Sequence, residues 1–241
     1  MEQFFTPNYN GSPFVLFDAA HWSAMLLIAA ACASLFYFRR RWNETQRRNF
    51  RRGLALFIAL SDLSWQAWSL YYGLWDIRVN LPLHLCSVCG WGSVYVLLSD
   101  DRRVLEPVYF LGIGGALMTI LTPDVGRYGF PHYRAFQIFA SHGGMLLAIL
   151  YMSIVEDFRP TWAAYRRTAL IANGYMILVF LVNLALGSNY LYLMKKPEFP
   201  TLYDLMLPWP WYMLQVEALG LALMAFFLLP FELAKIGKRR R

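Results

Sequence analysis

The run Thr168 to Gly187, TALIANGYMILVFLVNLALG, decides the fold. It contains no charged residue, and a helix of about 20 residues rising 1.5 Å per residue just crosses the hydrocarbon layer of a bilayer. Its apolarity is continuous rather than alternating, which argues against the strand of a membrane barrel, the other spanning solution. Working outward, six further runs of this kind occur, at about Phe14 to Phe38, Gly53 to Gly73, Leu81 to Ser99, Val104 to Pro123, Ala135 to Val155 and Trp211 to Leu233. The 241 residues are 58% hydrophobic and only 15% charged, which places the chain in the membrane class. The expected fold is therefore all-α: seven transmembrane helices in one bundle, a single domain over residues 1–241.

The basic residues orient the bundle. Arg39, Arg40, Arg41, Arg47, Arg48, Arg51 and Arg52 crowd the first connection, and Arg102 and Arg103 the third. Arg159, Arg166 and Arg167 occupy the fifth, with Lys235, Lys238, Arg239, Arg240 and Arg241 at the C-terminus. The other side holds only Arg78, Arg127, Arg134, Lys195 and Lys196. By the positive-inside rule the N-terminus is extracytoplasmic and the C-terminus cytoplasmic, a split that an odd number of spans requires. The net charge of +7 is then mostly topological, with attraction to anionic headgroups and no nucleic-acid partner expected. The N-terminal residues lack the basic n-region of a cleavable signal. Gly112, Gly114 and Gly115 follow no strand, so they read as close helix packing rather than a nucleotide fingerprint.

Orientation gathers the polar residues. The third span enters through LPLHLCSVC, Leu81 to Cys89, and brings His84, Cys86 and Ser87. The fifth enters behind His132 and Tyr133 and carries Gln137, Ser141 and His142. Asp18 and His21 start the first, Asn183, Asn189 and Tyr190 end the sixth, and Gln215 and Glu217 lie on the seventh. All four histidines fall in the outer half. Polar groups facing lipid are costly, so these residues imply an outward-opening polar cavity, with Asp62 and Gln66 of the second span as its floor. Each residue taken singly could equally be hydrogen-bonded glue between helices.

Several chemistries fit this set. Cys86 is a candidate nucleophile for acyl transfer or ester hydrolysis, its thiol favoured by the positive end of a helix dipole. Residues two apart on a helix do not face each other, so His142 of the fifth span is an easier base than His84. Cys86 and Cys89 form a C-x-x-C, which would suit thiol-disulfide exchange, yet the only further cysteine is Cys32 on the first span. A metal site lacks support because no H-x-x-x-H occurs. A binding or transport protein without catalysis is the competing class, with Glu217 or Asp62 coupling protons.

The segments Leu81 to Cys86, Pro131 to Tyr133 and Ser141 to Gly143, with seven spans and an outside N-terminus, resemble YwaF-type bacterial integral membrane proteins. That group is similar to a vertebrate family of cysteine-dependent membrane phospholipid acyltransferases and, more distantly, to membrane hydrolases of fatty-acid esters of hydroxy fatty acids. The resemblance implies a Cys or Thr nucleophile with a His inside the bundle, matching His84 to a third-helix histidine and His142 to the catalytic one. The eukaryotic pattern has cysteine immediately before the third-helix histidine, where this chain has Leu83, which moves the nucleophile to Cys86 or Ser87.

The resulting expectation is a multi-pass protein of a bacterial-type inner membrane acting on a phospholipid or acylated amphiphile, with no cofactor and no metal. Cys86, Ser87, His84 and His142 are the catalytic candidates. His21, His132, Tyr133, Asn189, Tyr190, Gln215 and Glu217 are the substrate-binding ones, Asn189 and Tyr190 as oxyanion donors.

Overall fold

Short polar side chains at the helix starts set where each element begins. Asn43 and Gln46 close a reciprocal capping box, Asp18 accepts from the His21 amide at 2.7 Å, Asp101 from the Arg103 amide, and Thr161 from the Ala164 amide. In the computed structural model, which describes residues 2–198 and 202–239, these caps open a wholly helical chain. The helices are α1 (Glu2–Phe5), α2 (Ala19–Phe38), α3 (Glu44–Tyr71), α4 (Leu85–Ser99), α5 (Arg102–Leu121), α6 (Tyr133–Ile154), α7 (Trp162–Leu186) and α8 (Trp211–Arg239). Short 3₁₀ turns occupy Tyr190–Tyr192 and Leu202–Leu205, and no strand occurs among the described residues. Arg240 and Arg241 of the basic C-terminus lie outside them.

Five helices, α2, α5, α6, α7 and α8, are long and apolar enough to cross a membrane. The other two expected spans differ from their sequence boundaries. The capping box starts α3 nine residues early, so Arg47, Arg48, Arg51 and Arg52 ride on a helix rather than in a connection, and Asp62 and Gln66 interrupt its apolar part. α4 has only 15 residues, because Leu81 to His84 form a turn and not its first coil. The first span likewise starts at Ala19, after the left-handed Phe17 and the Asp18 cap.

Packing places α3, α4, α5 and α6 at the centre, α2 against α6, and α7 and α8 against α5. α6 is the pivot: 67% of its apolar window is buried, against 11% for α2, α7 and α8. The outer helices show apolar side chains such as Leu170, Ile177, Leu181 and Leu184 of α7, surface that only a lipid environment makes inexpensive. Glycines bring α4 onto α5. A Cβ on Gly112 would sit 2.7 Å from Ile149 and 3.3 Å from Cys89, and one on Gly115 would sit 3.1 Å from the Cys86 sulfur. Gly114 instead faces Phe227 of α8.

The helices alternate in direction, and the arginines collect at one end of the bundle, where several do more than carry charge. Arg51 of α3 donates to the Leu97 and Val96 carbonyls at the close of α4, at 2.7 and 3.4 Å. Arg47 reaches Arg39 and Val155 at the ends of α2 and α6, and Arg159 reaches Ser153. Apart from that of Val96, which also accepts from the Asp100 amide, these carbonyls are among the orphan acceptors that every helix C-terminus leaves, and the negative end of the helix dipole favours a cation there.

Replacing Arg51 with Gln should lower stability by roughly 1–3 kcal/mol, the cost of leaving such acceptors unmet. Thermal unfolding in detergent checks this. Arg40→Gln, at an exposed position of the same end, should leave the midpoint unchanged.

Candidate functional site

At the middle of the bundle α3, α4 and α6 leave a cavity of about 50 Å³. α3 lines it with Ile58, Ala59 and Asp62, α4 with Cys86, Ser87, Gly90, Trp91 and Val94, and α6 with Ser141, His142 and Met145. A space of that size admits a few waters or a reacting carbonyl group, not a whole lipid. Helical spacing explains the lining: Asp62 stands one turn from Ile58 on α3, Cys86 and Gly90 share a face of α4, and Ser141 and Met145 share one of α6.

The hydrogen bonds orient each group. Nδ1 of His142 lies 2.9 Å from the Ile138 carbonyl one turn back and 3.0 Å from the Ser141 hydroxyl. A carbonyl can only accept, so Nδ1 carries the proton and Nε2 holds the basic lone pair. Nε2 has no hydrogen-bond partner among the described residues. Asp62 accepts from the Trp91 indole N–H at 2.8 Å, and the Cys86 sulfur lies 3.9 Å from the Thr119 hydroxyl, beside Gly115. His84, the N-cap of α4, makes no side-chain cap, which leaves the first amides of that helix uncapped next to Cys86.

Other sequence candidates stand elsewhere. His84 packs edge-on against Tyr190, 5.3 Å between ring centroids, and beside Tyr192, rather than lining the cavity. His21 is fully buried: Nδ1 accepts from the Phe17 amide and Nε2 bonds the Ile120 carbonyl, both at 2.9 Å, so it ties α2 to α5. His132 caps α6 by accepting from the Arg134 amide at 3.0 Å, while Nε2 donates to the Thr6 carbonyl at 3.1 Å. Tyr128 stacks on His132, and Trp68 and Tyr9 enclose it, which pins the N-terminal segment over α3 and α6. Tyr133 bonds Ser64.

The outer-mouth donors are likewise committed to structure. Asn189 donates to the Lys195 carbonyl and accepts from the Met194 and Lys195 amides. Tyr190, fully buried, donates to the Ile77 carbonyl at 2.6 Å and accepts from the Leu81 amide at 2.9 Å. Gln215 accepts from the Leu207 amide. Glu217 accepts from Asn173 at 2.8 Å between α7 and α8. The partners are mostly backbone groups, those of Tyr190 more than 100 residues away and those of Asn189 and Gln215 in the adjoining loops, and they leave no pattern to read. Trp91, which apolar patterning does not single out, holds the expected floor, Asp62, against the cysteine helix. Among the described residues no three of His, Cys, Asp and Glu gather to hold a metal.

Compared with known families, residues 16–228 match the model described as the TMEM164 family. No curated protein and no solved structure matches. The match overturns the resemblance to YwaF-type proteins, which rested on three short segments. The family and the five long apolar helices fit a multi-pass membrane protein.

His132 generates a pH test. Burial holds its pKa below the ordinary 6.5, with the Arg134 charge in the same direction and the Thr6 bond opposing. The unfolded chain therefore takes up the proton first, so the stability from neutral His132 is whole above 6.5 and lost as pH falls through the lowered value. Between about pH 7 and pH 5, the unfolding midpoint of the wild type should fall more steeply than that of His132→Asn, which caps without titrating. Equal slopes would contradict the assignment.

Proposed function

The chain belongs to the TMEM164 family, and from that premise we propose that it is a multi-pass membrane protein that transfers or hydrolyses the acyl group of a lipid ester at Cys86. One observation carries this reading: Cys86, His142 and Asp62 come from three different helices to one small cavity. A thiol, an imidazole with its basic nitrogen unbonded and a carboxylate are the parts of a nucleophile, a base and a countercharge for the imidazolium.

Nε2 of His142 takes the Cys86 proton as sulfur attacks the ester carbonyl. A carbon–sulfur bond forms, the carbon–oxygen bond breaks, and the departing alkoxide leaves with the proton from His142. Water or an acceptor hydroxyl then gives its proton to His142 and attacks the thioester, releasing the acyl group and returning the proton to the thiolate. The uncapped amides at the start of α4 are suited to the developing oxyanion. Asp62 acts on the imidazolium that forms in each half.

The cavity suits a reacting carbonyl in volume, so the acyl chain would lie along the bundle surface, in lipid, and the headgroup outside the cavity. In this reading α3 and α4 complete seven crossings, the arginine-rich end faces the cytoplasm, and the N-terminus lies outside. α3, at 28 residues, is about 42 Å long. The short α4 is supplemented by Leu81 to His84. Thiol exchange through Cys86 and Cys89 is less well supported, because Cys32, the remaining thiol, sits on α2, which packs mainly on α6.

Purified protein in nanodiscs containing a fluorescent-acyl phosphatidylcholine, with products resolved by mass spectrometry, tests the assignment. Cys86→Ala and His142→Ala should each lower acyl turnover by at least roughly 100-fold. Ser87→Ala, beside the nucleophile, should retain it. Turnover unchanged in both variants would contradict the mechanism.

A further inference from the structure

One charged group near this cavity is left unused. Arg134, the second residue of α6, lays its guanidinium 4.0 Å from the centre of the Trp65 ring on α3. Its one hydrogen bond is from Nη1 to the Gln137 carbonyl oxygen, and the Gln137 amide is in turn fixed on the Ser61 carbonyl at 3.0 Å. A guanidinium has five N–H donors, so most of those of Arg134 have no partner among the described residues. None of the described carboxylates lies within 4 Å as an ion pair, although six other basic side chains have one. The acidic groups that act on it from a distance are Asp62 and Asp124, and Asp62 is already engaged by Trp91.

Its position relates it to the cavity. Trp65 stands one turn beyond Asp62 on α3, about 5 Å along the axis, on the same face. On α6, Arg134, Ile138 and Ser141 follow one another at helical spacing, and Arg134 lies near enough for its charge to act on His142. The guanidinium therefore forms the next layer above Cys86, Asp62 and His142, on the side away from the arginine-rich end. A planar, permanently charged fork held flat on an aromatic face with free N–H groups is the arrangement that suits the oxygens of a phosphate ester. In a glycerophospholipid the phosphorus is separated from an ester carbonyl by only a short run of single bonds, a span comparable with the one turn of α3 from Trp65, under the guanidinium, to Asp62.

We propose that Arg134, seated on Trp65, is the recognition site for the phosphate ester of a lipid headgroup, and that it sets the ester carbonyl over the Cys86 cavity. This rests on the acyl-transfer reading for its consequence, not for the binding itself. Gln137 is the positioning residue that holds the fork in register. The selectivity that follows is for phosphate-bearing amphiphiles over neutral glycerides of the same acyl chain.

Full-length protein in a neutral maltoside detergent, titrated with oleoyl lysophosphatidylcholine and with monooleoylglycerol, tests the proposal by thermophoresis. The wild type should bind the phosphate-bearing lipid more tightly by roughly tenfold or more, the size expected of a hydrogen-bonded charge pair. Arg134→Gln should lose that preference while its affinity for monooleoylglycerol stays unchanged, a comparison that also controls for folding, and Arg134→Lys should keep part of it. Inorganic phosphate that competes with the lysolipid in the wild type but not in Arg134→Gln shows that the same site admits the free anion, and supports the assignment. Equal affinities in the wild type, or a preference that survives in Arg134→Gln, would overturn it. A phosphate preference without turnover thus separates failure of the chemistry from failure of this site.

Discussion

Every polar side chain inside an apolar helical bundle must find a partner there, because lipid offers none. That constraint sorts the residues of this protein. His21 satisfies both nitrogens on the Phe17 amide and the Ile120 carbonyl, His132 on the Arg134 amide and the Thr6 carbonyl, and Tyr190 bridges Ile77 and Leu81. Each spends its hydrogen-bonding capacity on holding segments together. Apart from the His84 ring and the Ser69 and Thr168 hydroxyls, the last two buried without a partner, what is left with capacity to spare is a much shorter set near the cavity: Nε2 of His142, the Cys86 thiol and the Arg134 guanidinium. All three belong to one region between α3, α4 and α6.

The frame around that region depends on two kinds of contact. At one end, arginines from α3 and the connections bind the terminal carbonyls of α2, α4 and α6, locking the helix ends together. In the middle, Gly112 and Gly115 let α4 approach α5 until the Cys86 sulfur lies beside the α5 backbone. The first contact fixes the depth of α4 and the second its distance from the core. Together they decide where the cysteine stands relative to His142, which α6, the most buried helix, holds through its own backbone at Ile138.

Much of this frame is legible in the sequence. The apolar runs locate every long helix, and the spacing argument turns from His84 to His142, a residue that lines the cavity together with Cys86. Glycine packing on the fourth apolar run is also readable. Less legible are the partners. A histidine that bonds a carbonyl 99 residues away, as His21 does, looks the same in sequence as one that binds substrate. Asn189 and Tyr190 look like mouth donors until their bonds to the neighbouring loops are seen. Arg134 reads as a boundary charge, and only its seat on Trp65, with its other N–H groups unpartnered, marks it out. Helix ends move too, because capping boxes and turns such as Asn43 to Gln46 and Leu81 to His84 shift boundaries that hydropathy alone smooths over.

The central claim is that Cys86 is a nucleophile served by a base on another helix, and its most direct test is to look for the covalent intermediate. Intact-protein mass spectrometry after brief exposure to the p-nitrophenyl ester of a fatty acid should show one added acyl group, mapped to Cys86 and released by neutral hydroxylamine as a thioester is. The adduct should be absent in Cys86→Ala and form far more slowly in His142→Ala. An acyl group on any other residue, or its persistence in Cys86→Ala, would contradict the account.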